Sequence, residues 1–137
     1  MEKRKIITIM VMVDVVGVLS NDSLEKNLYL YDNNKANGSF GHGTEKLTTR
    51  LIFNPDEEIM LLWNVLPIEP ETFVHISQVV ADKKYLKIEQ NNYKESDIIY
   101  WTGTFIRKPV KQLSYKLSIR VGNRETEFSF HLDLVCE

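Results

Sequence analysis

The side chains with chemical potential in this chain are few. There are three histidines, His42, His75 and His131, and one cysteine, Cys136. An acid- and amide-rich run, Asp32-Asn33-Asn34-Lys35-Ala36-Asn37-Gly38, leads into Ser39-Phe40-Gly41-His42-Gly43. A Ser, Cys or Thr nucleophile needs a His beside it and an acid to orient that His. None of the histidines lies in a Gly-x-Ser-x-Gly elbow or another nucleophile motif. Cys136 stands beside Glu137 as a free thiol at a chain end, where an intermolecular disulfide is the reaction open to it. No catalytic residue is assigned and no enzyme is expected. His131 shares a polar strand face with Ser129 and Asp133, whereas His75 alternates with Phe73 and Val79 too loosely to be given a face.

Metal and phosphate chemistry fare no better. No two His or Cys residues stand at a zinc-like spacing. An EF-hand would need an acid or amide at Ala36, glycine at Asn37 and glutamate at Gly43. Asp32 and Asn34 could still serve a calcium site of another kind, but Asp and Asn are common turn residues whose side chains bond nearby backbone, and that is the simpler reading. The run Gly38 to Gly43 lacks the Gly-Lys-Ser/Thr ending of a phosphate loop. No metal or cofactor is expected. Basic residues near aromatics, Arg107-Lys108 by Phe105 and Lys116 with Arg120, have acidic neighbours and read as solvated. The formal net charge of −2 offers no field for nucleic acid. The aromatics leave one binding option: Trp101, Tyr29 and Tyr31 with Asp32 and Asn34 have the chemistry to stack on a sugar ring and bond its hydroxyls. Trp63, in the apolar run Met60-Leu61-Leu62-Trp63, reads as core, as does one of Tyr100 and Trp101.

The elements that would position these groups are almost all strands. Leu113, Tyr115, Leu117, Ile119 and Val121 alternate with polar residues, and Phe128, Phe130, Leu132 and Leu134 do the same, which is the period of a strand with one wet face. Gly122-Asn123 between them suits a two-residue hairpin turn. Further strands are expected at about 5–15, 28–31, 48–53, 59–65, 72–80, 85–89 and 98–106, separated by turn-formers. Ser20 to Lys26 has a helical look, with Asp22 and Glu25 spaced like a capping box. Many short strands without long helices argue for an all-β, antiparallel β-sandwich, a closed barrel being the alternative. The 137 residues, 43% hydrophobic and 26% charged, fit one globular domain over 1–137. Lys3-Arg4-Lys5 before Ile6 to Val13 mimics a signal peptide, but Asp14 interrupts the apolar run and no small-residue cleavage site follows. The run is too short for a membrane helix, so no membrane partner is expected, and its Ile and Val content fits a strand buried on both faces.

Several separated motifs, in order, resemble the AidA/PixA family of bacterial inclusion-body proteins. The first comprises Asn27, Tyr29, Leu30, Asp32, Asn34, Gly38, Ser39, Gly43 and Thr44. The second is Trp63, Val65, Pro67, Ile68 and Pro70, and the third Tyr100, Trp101 and Gly103. The resemblance implies an all-β fold, a bacterial cytoplasmic protein and no catalytic motif, with Trp63, Pro67 and Pro70 as structural residues. Some members accumulate as crystalline inclusions and are methionine-rich, whereas this chain has four methionines, so visible inclusions are not implied. Two functions are then open. One is a self-associating, non-catalytic module whose oligomers form through apolar strand surface such as Ile6 to Val13. The other is a module whose loops, with Gly38, Ser39 and Gly43 beside Tyr29, Tyr31, Asp32, Asn34 and Trp101, hold a sugar or similar polar ligand.

Overall fold

The described residues form ten strands and one short helix. A computed structural model describes residues 3–21, 27–32, 40–42, 48–53, 57–69, 72–92, 99–122 and 127–136. The elements are β1 (Lys3–Val13), α1 (Val15–Asn21), β2 (Leu28–Asp32), β3 (Phe40–His42), β4 (Thr48–Leu51) and β5 (Glu57–Pro67). They continue as β6 (Val74–Val80), β7 (Leu86–Asn92), β8 (Ile99–Phe105), β9 (Gln112–Val121) and β10 (Glu127–Cys136). Two open sheets face each other, a six-stranded one in the order β3-β2-β1-β5-β8-β7 and a four-stranded one in the order β4-β10-β9-β6. This is a sandwich, and neither strand order closes into a barrel.

Most ladders are antiparallel, including β9 with β10 from Glu127↔Arg120 to Val135↔Gln112. Two are parallel: β1 with β5 along its whole length, Lys3↔Glu57 to Val13↔Pro67, and β10 with β4. Both sheets are therefore mixed. A parallel pair needs a long crossover, and here α1, β2, β3 and β4 all intervene between β1 and β5. Of the expected Gly122-Asn123 turn only Gly122 is among the described residues; its φ of 61° is left-handed and its N–H donates to the Phe73 carbonyl at 2.8 Å. The segment taken for a loop after Asp32 contains a strand, because Phe40, Gly41 and His42 pair with Tyr31, Leu30 and Tyr29.

The helix lies earlier than the capping-box spacing suggests. It spans Val15–Asn21, and residues 22–26 of the expected segment lie outside the described ones. Asp14 ends β1 and caps α1: its Oδ1 accepts from Gly17 N–H at 2.9 Å and its carbonyl from Val18 N–H at 2.9 Å. Two further first-turn donors, Val15 and Val16 N–H, find Glu69 Oε2 at 2.9 Å and Oε1 at 3.3 Å. Valines 15 and 18 are fully buried, so this helix is held by packing and caps rather than by intrinsic propensity. The side-chain hydrogen bond from Glu69 is the larger cause, and the Gly17 N–H the smaller, that holds the Asp14 carboxyl below its ordinary value of 3.8, with burial opposing.

Between the sheets, Trp63 of β5 meets Tyr115 of β9. The indole Nε1–H donates to Tyr115 Oη at 2.9 Å, with ring centroids 5.3 Å apart and planes at 54°. Gly103 on β8 makes room, since a Cβ there would stand 2.5 Å from Trp63 Cη2 and 3.3 Å from Ile88 Cδ1. Cys136, far from fraying, is buried in β10 opposite Leu51, and its N–H donates to the Lys111 carbonyl at 2.7 Å. Burial pushes its thiol up from the ordinary value, which suppresses the thiolate that disulfide exchange requires.

Two expectations follow. Gly103→Ala drives a methyl into Trp63 and costs about 1–3 kcal/mol, read as a lower urea midpoint at unchanged slope; an unchanged midpoint would show that the ring yields freely. Asp14→Ala costs about 1 kcal/mol at pH 7 through the lost cap. Because the folded carboxyl titrates below its unfolded value, that contribution is present above the ordinary 3.8 and fades as pH falls through the folded value. Urea unfolding at pH 7 and pH 3 should show the gap between wild type and variant narrowing at low pH, and a constant gap would refute the role of the ionised carboxylate.

Candidate functional site

Strand alternation decides which residues reach each surface. On β1 the odd positions from Ile7 to Val13 are buried, so Arg4, Ile6, Thr8, Met10 and Met12 face outward. Their parallel partners on β5 are Glu58, Met60, Leu62, Asn64 and Leu66. On β8, Thr104 and Thr102 continue the same face opposite Met60 and Leu62. The centre of this face, from Ile6 to Met12 and from Met60 to Leu66, carries no charge. Charge stands at its margins, in the pairs Arg4–Glu58 at 3.6 Å and Lys87–Glu89 at 3.3 Å. A shallow groove of about 580 Å³ crosses it, lined by Ile6, Met60 and Leu62 at one side and by Tyr100, Thr102, Thr104, Asn91 and the charged Glu89 toward β8 and β7. Ile6 and Leu66 are 44% and 40% exposed. As β1 lies between β2 and β5, it offers partners this face and no free backbone edge.

The outer face of the four-stranded sheet is polar. Ser118 and Ser129 hydroxyls lie 2.8 Å apart, and Ser114 Oγ donates to Asp133 Oδ1. At one end, His75, Arg120 and Glu127 form a cross-strand row over β6, β9 and β10. The β6–β9 register shifts between Ile76 and Gln78, a bulge that leaves Ser77 unpaired, and Ser77 Oγ donates to Glu127 Oε2 at 2.7 Å. This row borders a cleft of about 550 Å³ that runs between the sheets, to which β5 contributes Asn64 and Val65, β7 Gln90 and β8 Ile99. The opening arises where the β5–β8 ladder stops, at Trp63↔Trp101. Sequence reasoning missed it, since His75 could not be given a face and neither the bulge nor the end of a ladder has a composition signal.

The residues singled out from the sequence are dispersed. Tyr29 is half-buried on β2 opposite Met12, and the Tyr31 and Asp32 backbones pair with Met10 and Ile9. Trp101 packs against the core rather than standing clear of it, and its indole nitrogen is buried with no hydrogen-bond partner among the described residues. Trp101 is therefore not placed beside Tyr29: β1 and β5 lie between their strands. Trp63 is fully buried, and Pro67 ends β5 opposite Val13. Asn34, Gly38, Ser39, Gly43 and Pro70 lie outside the described residues. The one close carboxylate pair described, Asp14 with Glu69, is occupied in capping α1. Among the described residues no three His, Cys, Asp or Glu side chains gather as metal ligands, and no helix is long and apolar enough to cross a membrane.

Comparison with known proteins places the fold. The crystal structure of an inclusion body protein, PixA, from Burkholderia cenocepacia J2315 matches with a TM-score of 0.57 at 10% identity, covering 99% of this chain and 98% of that one. At that identity the likeness is one of fold, and it is the all-β fold that the AidA/PixA resemblance implies. The cysteine protease inhibitor EhICP2 from Entamoeba histolytica matches at a TM-score of 0.36 and 11% identity, over 67% of this chain and 86% of that one. No curated protein matches by sequence. A family model, described as a domain of unknown function, matches residues 5–127, and the chain belongs to that family, DUF8788.

Proposed function

We propose that this protein is a non-catalytic, self-associating protein of the inclusion-body type, acting in the bacterial cytoplasm and assembling through the outer face of its six-stranded sheet. The observation that carries this reading is the uncharged stripe of Ile6, Met10 and Met12 beside Met60, Leu62 and Leu66, with ion pairs confined to its margins. An apolar centre with a polar rim is the anatomy of a protein interface. The partner is a second copy, because a neutral patch has no charge pattern to select a different chain and can pack on itself about a twofold axis. β1 and β5 extend about 36 Å each and, with the 5-residue β2 and 7-residue β8 beside them, present a face on the order of 500 Å². That is less than the ~800 Å² each partner contributes to a standard interface and suits a concentration-dependent association. The Burkholderia protein of similar fold is an inclusion body protein, which supports the inclusion-body reading.

The test is molar mass by size-exclusion chromatography with light scattering, over a wide concentration range with reductant. A defined oligomer or concentration-driven growth is expected, and Ile6→Glu and Leu66→Glu, both at exposed positions, should shift it to the 16.0 kDa monomer with the fold retained. A strict monomer at every concentration, or an oligomer indifferent to both substitutions, would refute the proposal.

A further inference from the structure

The cleft at the end of the β5–β8 ladder is unrelated to the assembly face in its chemistry, and we infer that it is a binding site for a small monoanionic polyol, such as a sugar acid. Its volume of about 550 Å³ lies in the usual range for small-molecule sites, roughly 300–1,000 Å³. Its deeper lining is apolar: Val65, Val74 and Ile76 are core residues that keep 7–9% exposure there, and Ile99 is 45% exposed. Such a surface suits the C–H face of a sugar ring.

The rim supplies the polar groups. Arg120 stands opposite both His75 and Glu127 in the ladders, yet it makes no ion pair among the described residues. Glu127 instead reaches across to Ser77, the residue that the β6 bulge leaves unpaired. Glu127 Oε2 is thus engaged by Ser77 at the bulge rather than by the guanidinium. Arg120 keeps its planar fork of donors, the geometry that grips a carboxylate through two parallel bonds. Glu127 Oε1, the Gln90 amide and His75 remain to bond hydroxyls. One exposed cation next to a carboxylate held by Ser77 suits a single negative charge, and a phosphate dianion would meet stronger repulsion from Glu127.

The experiment is isothermal titration of the full chain with D-glucuronate, with D-glucose and glucose 6-phosphate as comparisons. Glucuronate should bind at least tenfold more tightly than either. Arg120→Gln, at an exposed position, should weaken it at least tenfold with an unchanged melting temperature, and Lys116→Gln, on the same strand outside the cleft, should leave it unaltered. If Arg120→Gln alters the fold, chemical-shift changes in the wild type on adding glucuronate decide the matter: they should map to Gln90, Ile99 and Ser77. Absence of glucuronate binding, equal affinity for glucose, tighter binding of glucose 6-phosphate, an unchanged affinity in Arg120→Gln or shifts that map elsewhere would each overturn the inference.

Discussion

The hydrogen bond from Trp63 Nε1 to Tyr115 Oη, 2.9 Å long and buried, fixes how the two sheets meet. An indole N–H taken out of water without an acceptor is costly, as it is for the buried Trp101 nitrogen, and Tyr115 removes that cost for the largest side chain of β5. Each residue lies on an interior strand of its sheet, β5 between β1 and β8 and β9 between β10 and β6. The contact therefore sets the relation of both sheets at mid-width rather than at a margin. Glycine at 103 is part of the same constraint, because the indole edge occupies the space that a Cβ on β8 would fill. The core of this sandwich is thus specified by one polar bond and one missing methyl group, with the aliphatic residues packing around them.

With the interior fixed, the two outer faces diverge in chemistry. Outward positions of β9 and β10 are Ser, Lys, Arg, Gln, Glu, His and Asp with one Val at 135, several of them bonded to one another across strands, and that face is stable in water as it stands. Outward positions at the centre of β1 and β5 are Ile, Met, Leu, Thr and Asn. Contiguous apolar surface of this kind is uncommon on a monomer that remains one. The asymmetry separates a solvated sheet from one with an apolar outer face, and it puts the cleft with its polar rim, bordered by β6, β9 and β10, in a different environment from that face.

Much of this was legible in the sequence where alternation is clean. Leu113 to Val121 and Phe128 to Leu134 announced β9 and β10 and their pairing, and the turn-formers between apolar runs marked the other strands of the sandwich except β3. What stayed hidden has physical causes. Val15 and Val18 extend the apolar run of β1, so only the capping geometry of Asp14 and Glu69, brought together from positions far apart in the chain, shows that a helix starts there. Parallel pairing of β1 with β5 leaves no turn to read, because the partners are joined by several elements. Cys136 looked like a frayed thiol and proved to be a buried strand residue, since proximity to a chain end says nothing about whether a strand is paired. The cleft depends on a one-residue bulge and on the end of a ladder, both products of tertiary fit.

The register of β1 against β5 ties these features together. Eleven consecutive parallel pairs place Ile9 opposite Trp63 and Met10 opposite Asn64. Because side chains alternate with a period of two, a slip of one residue in β5 would turn Trp63 to solvent and bring Leu62 and Asn64 inside. The Tyr115 bond would be lost and the apolar stripe would vanish from the surface. Register is thus selected by the interior, where Trp63 has one acceptor and one glycine to lie against, and the exposed stripe is its consequence. The apolar stripe and the core are alternate residues of the same two strands, so substitutions that separate them must be made at outward positions such as Ile6 and Leu66, where the interior does not register the change.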